Sequence, residues 1–170
     1  MKTKVTLIIL LSIAPLFSQN GWAEMNSGTL QRLWAISFTD LSTGYASTNI
    51  ATIIKTTNGG TNWVLQTTPS SVQLYAIHCF NPNTVWTAGD GGTIITTTNG
   101  GTNWILQNSG TPNGLLDIFT SNGLTGWATG SNGTILKTTN AGINWALQSN
   151  PAGSAGIFSV HFLDNSTGWV

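Results

Sequence analysis

One eight-residue motif identifies the fold because it occurs three times along the chain; its first copy is Thr56-Thr57-Asn58-Gly59-Gly60-Thr61-Asn62-Trp63. The second copy, from Thr97 to Trp104, is identical, and the third, from Thr138 to Trp145, carries two changes. The closing tryptophans are 41 residues apart in both intervals. A fixed period of this length is typical of proteins built from stacked repeats.

The spacing within each copy has a structural explanation. Each copy fits the pattern Ser/Thr-x-Asp/Asn-x-Gly-x-x-Trp. The Asn side chain can bond the backbone two residues on, the Gly can adopt positive φ, and the Trp can fold back as an apolar plug whose indole N–H is free to reach a carbonyl. We therefore expect the motif residues to be structural rather than catalytic. These residues are Thr56, Asn58, Gly60, Trp63, Thr97, Asn99, Gly101, Trp104, Thr138, Asn140, Gly142 and Trp145.

The same period runs through the rest of the chain. A second aromatic position repeats as Tyr45, Trp86, Trp127 and Trp169. Whole repeats are expected at about residues 33–66, 74–107 and 115–148, with a partial repeat at 157–170. Trp22 lies 41 residues before Trp63, so residues 20–26 align with the last strand of a repeat.

Each repeat contains four short runs of β-branched and aromatic residues between clusters of Gly, Asn, Asp and Pro, which is typical of strands joined by turns. No segment shows the apolar spacing of a helix. Four strands per repeat predict an all-β fold, a β-propeller with one four-stranded blade per repeat. A β-solenoid is the alternative. The last repeat stops at Gly168-Trp169-Val170, in its second strand, so we expect an incomplete propeller. Residues 20–26 would be the outer strand of a closing blade, and the open arc would favour self-association.

Residues 1–18 predict a secretory signal peptide. Lys2 and Lys4 precede a 13-residue apolar stretch, residues 5–17, which is too short to cross a bilayer and is followed by small polar residues. Gly21-Trp22-Ala23 offers a second cleavage site, but Trp22 is in register with the repeat, so cleavage is expected after Ser18. The mature chain, residues 19–170, is expected to be exported to the periplasm, the cell surface or the medium, without a stable membrane span.

The repeat resembles two known groups. The turn motif is similar to the Asp-box of the bacterial neuraminidase (BNR) repeat, with Asn in the acidic position. The longer pattern at residues 126–145, Gly-Trp-Ala-x-Gly-x-x-Gly-Thr-Ile-x-Lys-Thr-Thr-Asn-x-Gly-x-x-Trp, resembles the propeller family named for the photosystem II assembly and stability factor. The resemblance covers residues 20–170 and implies a propeller that acts in photosynthetic assembly. The same turn occurs in sialidases and surface proteins, so it indicates fold more than function.

Composition excludes several classes of function. Charged residues make up 6% of the chain, against about 25% in an average protein. Only Arg32, Lys55 and Lys137 are basic in the predicted mature chain, so a nucleic-acid-binding face is not expected. The single cysteine, Cys79, excludes an intrachain disulfide framework and a CxxC-type zinc or redox site, and its position predicts a small core residue.

The remaining reactive side chains and glycine-rich segments do not match the pattern of a known catalytic or metal site. His78 and His161 share one repeat position with no second ligand nearby, so we interpret them as strand residues rather than metal ligands. The segments at residues 90–92 and 131–133 predict hairpin turns rather than phosphate loops, since no helix follows them. The aspartates lack the spacing of a calcium loop. Resemblance to sialidases would imply an arginine cluster with a Tyr/Glu pair, but the chain has one Arg and one Glu. We expect no enzymatic activity, no cofactor and no metal.

These observations favour an exported, non-enzymatic β-propeller that binds a protein partner or an assembling complex through loops on one face. Glycan binding, or a sialidase-like role at the cell surface, is the alternative. In that case exposed aromatic residues would form a sugar platform. The repeated tryptophans are first explained by packing between strands.

Overall fold

The computed structural model describes residues 6–9, 23–151 and 153–170, with side chains from residue 25 onward. Strand β1 (Thr6–Ile9) pairs antiparallel with β2 (Ala23–Asn26). Strand β1 falls inside the predicted signal peptide, and β2 falls within the predicted outer strand at residues 20–26. Trp22 lies outside the described residues.

Three four-stranded antiparallel sheets follow, each with its strands in chain order. Blade A contains β3 (Leu33–Phe38), β4 (Gly44–Thr48), β5 (Ile53–Thr56) and β6 (Val64–Gln66). Blade B contains β7 (Leu74–Cys79), β8 (Val85–Gly89), β9 (Ile94–Thr97) and β10 (Ile105–Gln107). Blade C contains β11 (Leu115–Thr120), β12 (Gly126–Gly130), β13 (Ile135–Thr138) and β14 (Ala146–Leu147). A two-stranded sheet, blade D, contains β15 (His161–Phe162) and β16 (Gly168–Trp169).

The predicted all-β propeller architecture is confirmed. Short 3₁₀ turns at Asp90–Gly92 and Ser131–Gly133 follow β8 and β12, and the described residues contain no α-helix. It follows that no helix in the described ranges is long and apolar enough to cross a bilayer.

The hydrophobic core lies between blades rather than at one centre. One buried cluster joins blades A and B through Tyr45, Ile53, Leu74, Ile77, Cys79, Val85, Ile95 and Trp104. A second joins blades B and C through Ala76, Trp86, Ala88, Ile94, Leu115, Ile118, Ala128 and Leu136. Each blade is therefore stabilised by the apolar area that its neighbours remove from water.

The strands of a blade run from the inside of the arc to its rim. The first strands, β3, β7, β11 and β15, contact one another in succession, so they line the inside. The fourth strands lie at the rim, where Val64, Leu65, Ile105 and Leu106 are between 55% and 64% exposed.

The turns of each blade gather at two opposite ends. We call residues 56–63, 97–104 and 138–145 the box turns. They lie at one end of the blades, the box end, together with the turns between first and second strands. At the connection end lie the turns between second and third strands and the segments that lead to the next blade. Hydrogen bonds define both ends: Gly59 N–H donates to the Ser42 carbonyl at the box end, and Asp90 N–H donates to the Gln73 carbonyl at the connection end.

Candidate functional site

The box turns are closed by their own side chains. Thr56 Oγ1 accepts the N–H of Gly60 at 2.9 Å and the N–H of Asn58 at 3.3 Å. Asn58 Oδ1 accepts the N–H of Asn62 at 2.9 Å and the hydroxyl proton of Thr56 at 3.0 Å. Gly60 takes φ of +87°, which a side chain would disfavour. The same four bonds recur around Thr97 and Asn99 and around Thr138 and Asn140.

The box tryptophans connect each turn to aromatic side chains. Trp104 packs against Tyr45 of the preceding blade, with ring centroids 6.3 Å apart, and Trp145 packs against Trp86 at 5.6 Å. Trp63 packs against Phe38 of its own blade at 6.0 Å. Within the described residues the three indole Nε1 atoms are buried without a hydrogen-bond partner, so the carbonyl contact expected from the sequence is not formed.

A side chain of one first strand holds the backbone of the next. Ser37 Oγ accepts the N–H of Cys79 at 3.0 Å, and His78 Nδ1 accepts the N–H of Thr120 at 3.3 Å. Ser37 and His78 share one repeat position. Phe119 occupies that position in blade C, and its side chain has no nitrogen or oxygen atom to accept a backbone N–H. There Asp117 Oδ2 accepts the N–H of Val160 at 2.8 Å and the hydroxyl proton of Ser159 at 3.1 Å. Sequence reasoning missed these contacts, which we call blade clasps; the only signal was a polar residue in an apolar strand.

The two histidines do not form a metal site. The Phe119 ring lies between them, 4.6 Å from the ring of His78 and 4.9 Å from that of His161. Burial lowers the pKa of His78, which agrees with an unprotonated Nδ1 that accepts a hydrogen bond. Burial also raises the pKa of the Cys79 thiol to about 12, so that thiol is a poor nucleophile. No three His, Cys, Asp or Glu side chains gather as metal ligands within the described residues.

The described aspartates hold turns and strands. Asp40 Oδ1 accepts the N–H groups of Ser42 and Thr43, and these bonds lower the pKa of Asp40. Asp164 makes the equivalent bonds in blade D, where the hydroxyl of Ser166 is the first cause of its lowered pKa. The amide oxygens of Asn81 and Asn122 take the same place in blades B and C. Sequence analysis missed this position, although the repeat register would have found it.

Two lysines bridge neighbouring blades. Lys55 Nζ donates to the Gly100 carbonyl at 2.7 Å and lies 5.3 Å from the ring centroid of Tyr45. Lys137 Nζ donates to the Asn165 carbonyl at 3.4 Å and lies 5.2 Å from the ring centroid of Trp127. Both ammonium groups therefore contribute to contacts between blades.

A row of large side chains lies on the inside of the arc, near the connection end. Its members share one repeat position, and we call them the aromatic row. In blades A, B and C this position directly follows the first residue of the first strand, and in blade D it lies three residues before β15. The members are Trp34, Tyr75, Leu116 and Phe158. Trp34 is 42% exposed and Phe158 is 78% exposed. The rings of Trp34 and Tyr75 meet edge to face at 5.5 Å, and the Arg32 guanidinium carbon lies 5.6 Å from the Trp34 ring centroid.

The aromatic row is held in place from the connection end. The Tyr75 hydroxyl donates to Asp90 Oδ1 at 2.8 Å, and this bond is the first cause of the raised pKa of Tyr75. In each whole blade the register between first and second strands shifts beside the row position, for example between Leu74 and Ala76. Such bulges redirect a side chain out of the regular pleat. The result is an apolar surface with one cation and one carboxylate beside it.

The fold and these contacts define a β-propeller protein built from BNR-type blades. Residues 14–108 match the family model PSII_BNR, described as photosynthesis system II assembly factor YCF48. The chain belongs to this family, as the repeat pattern predicted. A search of the curated proteins found no match.

Solved structures share the fold. A structure of YCF48 bound to D1 peptide is 22% identical with a TM-score of 0.71, over 86% of this chain and 49% of that chain. YCF48 from Cyanidioschyzon merolae is 16% identical with a TM-score of 0.65, over 80% of this chain and 46% of that one. An ancestral GH74 enzyme is 20% identical with a TM-score of 0.61, over 76% and 20% of the two chains. This chain therefore spans about half the length of the YCF48 structures that it matches.

Proposed function

We propose that this chain is an exported, non-enzymatic β-propeller that binds a protein segment through the aromatic row and serves as an assembly scaffold. Membership of the YCF48 family supports an assembly role. A related propeller with a peptide bound supports a peptide as the ligand. The observation that carries the proposal is the exposure of Trp34 and Phe158 on the inside of the arc.

The chemistry of the aromatic row suits a peptide. Tryptophan and tyrosine supply large apolar contact area with few rotatable bonds, and both are enriched where proteins bind proteins. Arg32 and Asp90 lie at the edge of the row and can pair with polar groups of a ligand. A segment lying along the row would contact successive blades, so its affinity would depend on their relative placement.

The use of the acidic groups supports a non-enzymatic role. Glycoside hydrolysis generally needs a pair of carboxyl groups facing the scissile bond, one of them with a raised pKa. The four described aspartates instead accept hydrogen bonds within the fold, and those on Asp40 and Asp164 lower the pKa. A lowered pKa is the opposite of what a general acid near neutral pH needs, so Asp40 and Asp164 do not suit that role.

Binding of a fluorescently labelled D1 peptide tests the proposal. We expect saturable binding that weakens at least about tenfold in Trp34→Ala, which is the loss of ~1.4 kcal/mol. Leu106→Ala is the matched control, because Leu106 is also exposed but lies on the rim. Absence of binding, or equal loss in both variants, contradicts the aromatic row as the site. Turnover of a fluorogenic sialoside contradicts the non-enzymatic role and favours the glycosidase alternative.

A further inference from the structure

We propose that the cleft between the box turns of blades A and B is a binding site for a carboxylate group. This box cleft lies at the box end, whereas the aromatic row lies near the connection end, so the site goes beyond the peptide-binding surface proposed above and does not depend on it. Its described lining comes from β5, β6 and the box turns of both blades, and its volume is about 420 Å³. Small-molecule sites usually measure ~300–1,000 Å³.

One cation determines the charge of the box cleft. Lys55 is the only charged residue among the described lining residues, and none of them carries a carboxyl group. Its Nζ donates to the Gly100 carbonyl at 2.7 Å, and an ammonium group has further N–H donors to offer a ligand. Lys55 is also half-buried. A charge that is partly removed from water is stabilised by a hydrogen-bonded group of opposite charge, so an anion should be attracted here.

The neighbouring amide side chains offer donors rather than acceptors. Asn58 Oδ1 already accepts the N–H of Asn62 and the hydroxyl proton of Thr56. Its NH₂ group is therefore the part of this amide that remains for a ligand. Gln66 Oε1 lies so close to Gly101 that a Cβ at Gly101 would clash with it. An ionised carboxylate accepts hydrogen bonds and donates none, so it suits a lining of this kind.

Asparagine in the box position leaves the charge of Lys55 uncompensated. An aspartate at position 58 would keep the two acceptor contacts but would place a negative charge in the same cleft as Lys55. Asn58 forms the turn without that charge, so the box cleft stays cationic. One ammonium group balances one carboxylate, whereas a phosphate group on a side chain carries about −1.5 to −2 near pH 7. The charge balance therefore favours a carboxylate.

The boundary between blades B and C has different chemistry at the same repeat positions. Thr96 holds the place of Lys55, and its Oγ1 accepts a hydrogen bond from Gln107 Nε2 at 3.0 Å. Ile143 holds the place of Thr102 and is 74% exposed. The chain therefore contains an internal comparison in which the same turn lacks the cation.

NMR titration of the ¹⁵N-labelled full chain tests the proposal. The probe is N-acetylglutamic acid α-amide, which has one carboxylate, and the matched neutral compound is N-acetylglutamine α-amide. We expect the probe to shift the backbone amide signals of residues 100–102 saturably, with a Kd on the order of 1 mM. The neutral compound should not shift them. The equivalent signals of residues 141–143, at the boundary without the cation, should shift less.

Two variants should weaken binding by a factor of about ten or more. Lys55→Gln removes the positive charge. Asn58→Asp keeps the acceptor contacts of the box turn but adds a negative charge to the box cleft. Asn140→Asp, the same change in the box turn of blade C, is the matched control and should keep the wild-type affinity at residues 100–102. Circular dichroism spectra like that of the wild type would show that the variants are folded.

The source of the carboxylate is distinguished by a second probe, glucuronate. Tighter binding of glucuronate than of the glutamate compound at residues 100–102 would support the site and identify an acidic sugar as its ligand; the opposite order would identify an acidic side chain. The proposal is overturned by the absence of saturable shifts at residues 100–102, by equal shifts with the neutral compound, or by wild-type affinity in Asn58→Asp. Tighter binding of inorganic phosphate than of either carboxylate would also overturn it.

Discussion

The backbone N–H of Thr120 donates to Nδ1 of His78, 3.3 Å away, so a histidine of blade B holds the inner strand of blade C. The two residues are 42 positions apart in the chain. The bond requires an unprotonated Nδ1, since a protonated imidazole has no lone pair to accept with. The contact between these blades is therefore linked to the proton concentration.

Stability should fall in mild acid. Burial lowers the folded-state pKa of His78 below its ordinary value of 6.5, partly opposed by Asp117 and reinforced by His161. Because the unfolded chain then binds the proton more readily, the His78 contribution is complete above pH 6.5 and is lost as pH falls below it. We expect Tm to decrease between about pH 7 and pH 5, measured by circular dichroism.

Two variants isolate this effect. His78→Asn keeps an oxygen acceptor that does not titrate, so its Tm should change less over the same pH window. Ser37→Ala removes the equivalent clasp between blades A and B, which has no titratable acceptor, so this variant should keep the wild-type pH dependence. Equal pH dependence in the wild type and His78→Asn would refute the assignment. The lowered pKa values of Asp40 and Asp164 act only in stronger acid, near and below 3.8.

The box tryptophans should differ in their contribution to stability. Trp104 is 7% exposed and packs on Tyr45 of blade A. Truncating a buried tryptophan costs ~3–5 kcal/mol, a large part of the ~5–15 kcal/mol that stabilises a typical domain. Urea unfolding should show a larger loss for Trp104→Ala than for Trp63→Ala, whose side chain is only half-buried. The reverse order would contradict the role of Trp104 in joining two blades.

An aspartate should be tolerated in the box turn. Asn99 uses Oδ1 as an acceptor, from the N–H of Asn103 and the hydroxyl of Thr97. Asn99→Asp keeps these bonds and charges the acceptor, which strengthens them, so we expect equal or higher stability at neutral pH. Asn99→Leu leaves both donors without this partner and should cost ~1–3 kcal/mol. Urea unfolding of both variants is the measurement; a strongly destabilised Asn99→Asp would show that the amide N–H groups matter instead.

Asp117 should control the attachment of blade D. Its carboxylate accepts the N–H of Val160 and the hydroxyl proton of Ser159. Removing it in Asp117→Ala should accelerate hydrogen exchange at the Val160 amide while the strands of blade B keep their protection. Asp40→Ala, which alters an exposed turn of blade A, is the matched control. Unchanged exchange at Val160 in Asp117→Ala would exclude this clasp as the attachment.

The N-terminus offers a separate test. Cleavage after Ser18 would remove β1 and leave β2 without the antiparallel partner that it has here. We expect mass spectrometry of the exported protein to find Gln19 as the first residue. Recovery of a chain that retains Thr6–Ile9 would instead favour β1 as a permanent strand and contradict the predicted signal peptide.

Much of the blade could be predicted from sequence because its determinants are local. The 41-residue period, the strand runs and the box turn all depend on residues a few positions apart, such as Thr56 and Gly60, whose bond spans four residues. Turn chemistry of this kind is specified by residue type and spacing alone. Each strand pattern is weak in a single copy, but its recurrence in successive repeats was sufficient to predict a propeller.

The contacts between blades could not be predicted from the sequence in the same way. Ser37, His78 and Asp117 all clasp the following strand, yet they differ in residue type and Asp117 acts from another position. Likewise, nothing local distinguishes the exposed Ile36 from the buried Ile77. The repeat, the strands and the turns are therefore encoded locally, because they follow from short-range bonding and periodicity. Which side chains meet across blades and which remain exposed depends on the folded arrangement, because burial is set by the neighbour that packing places there.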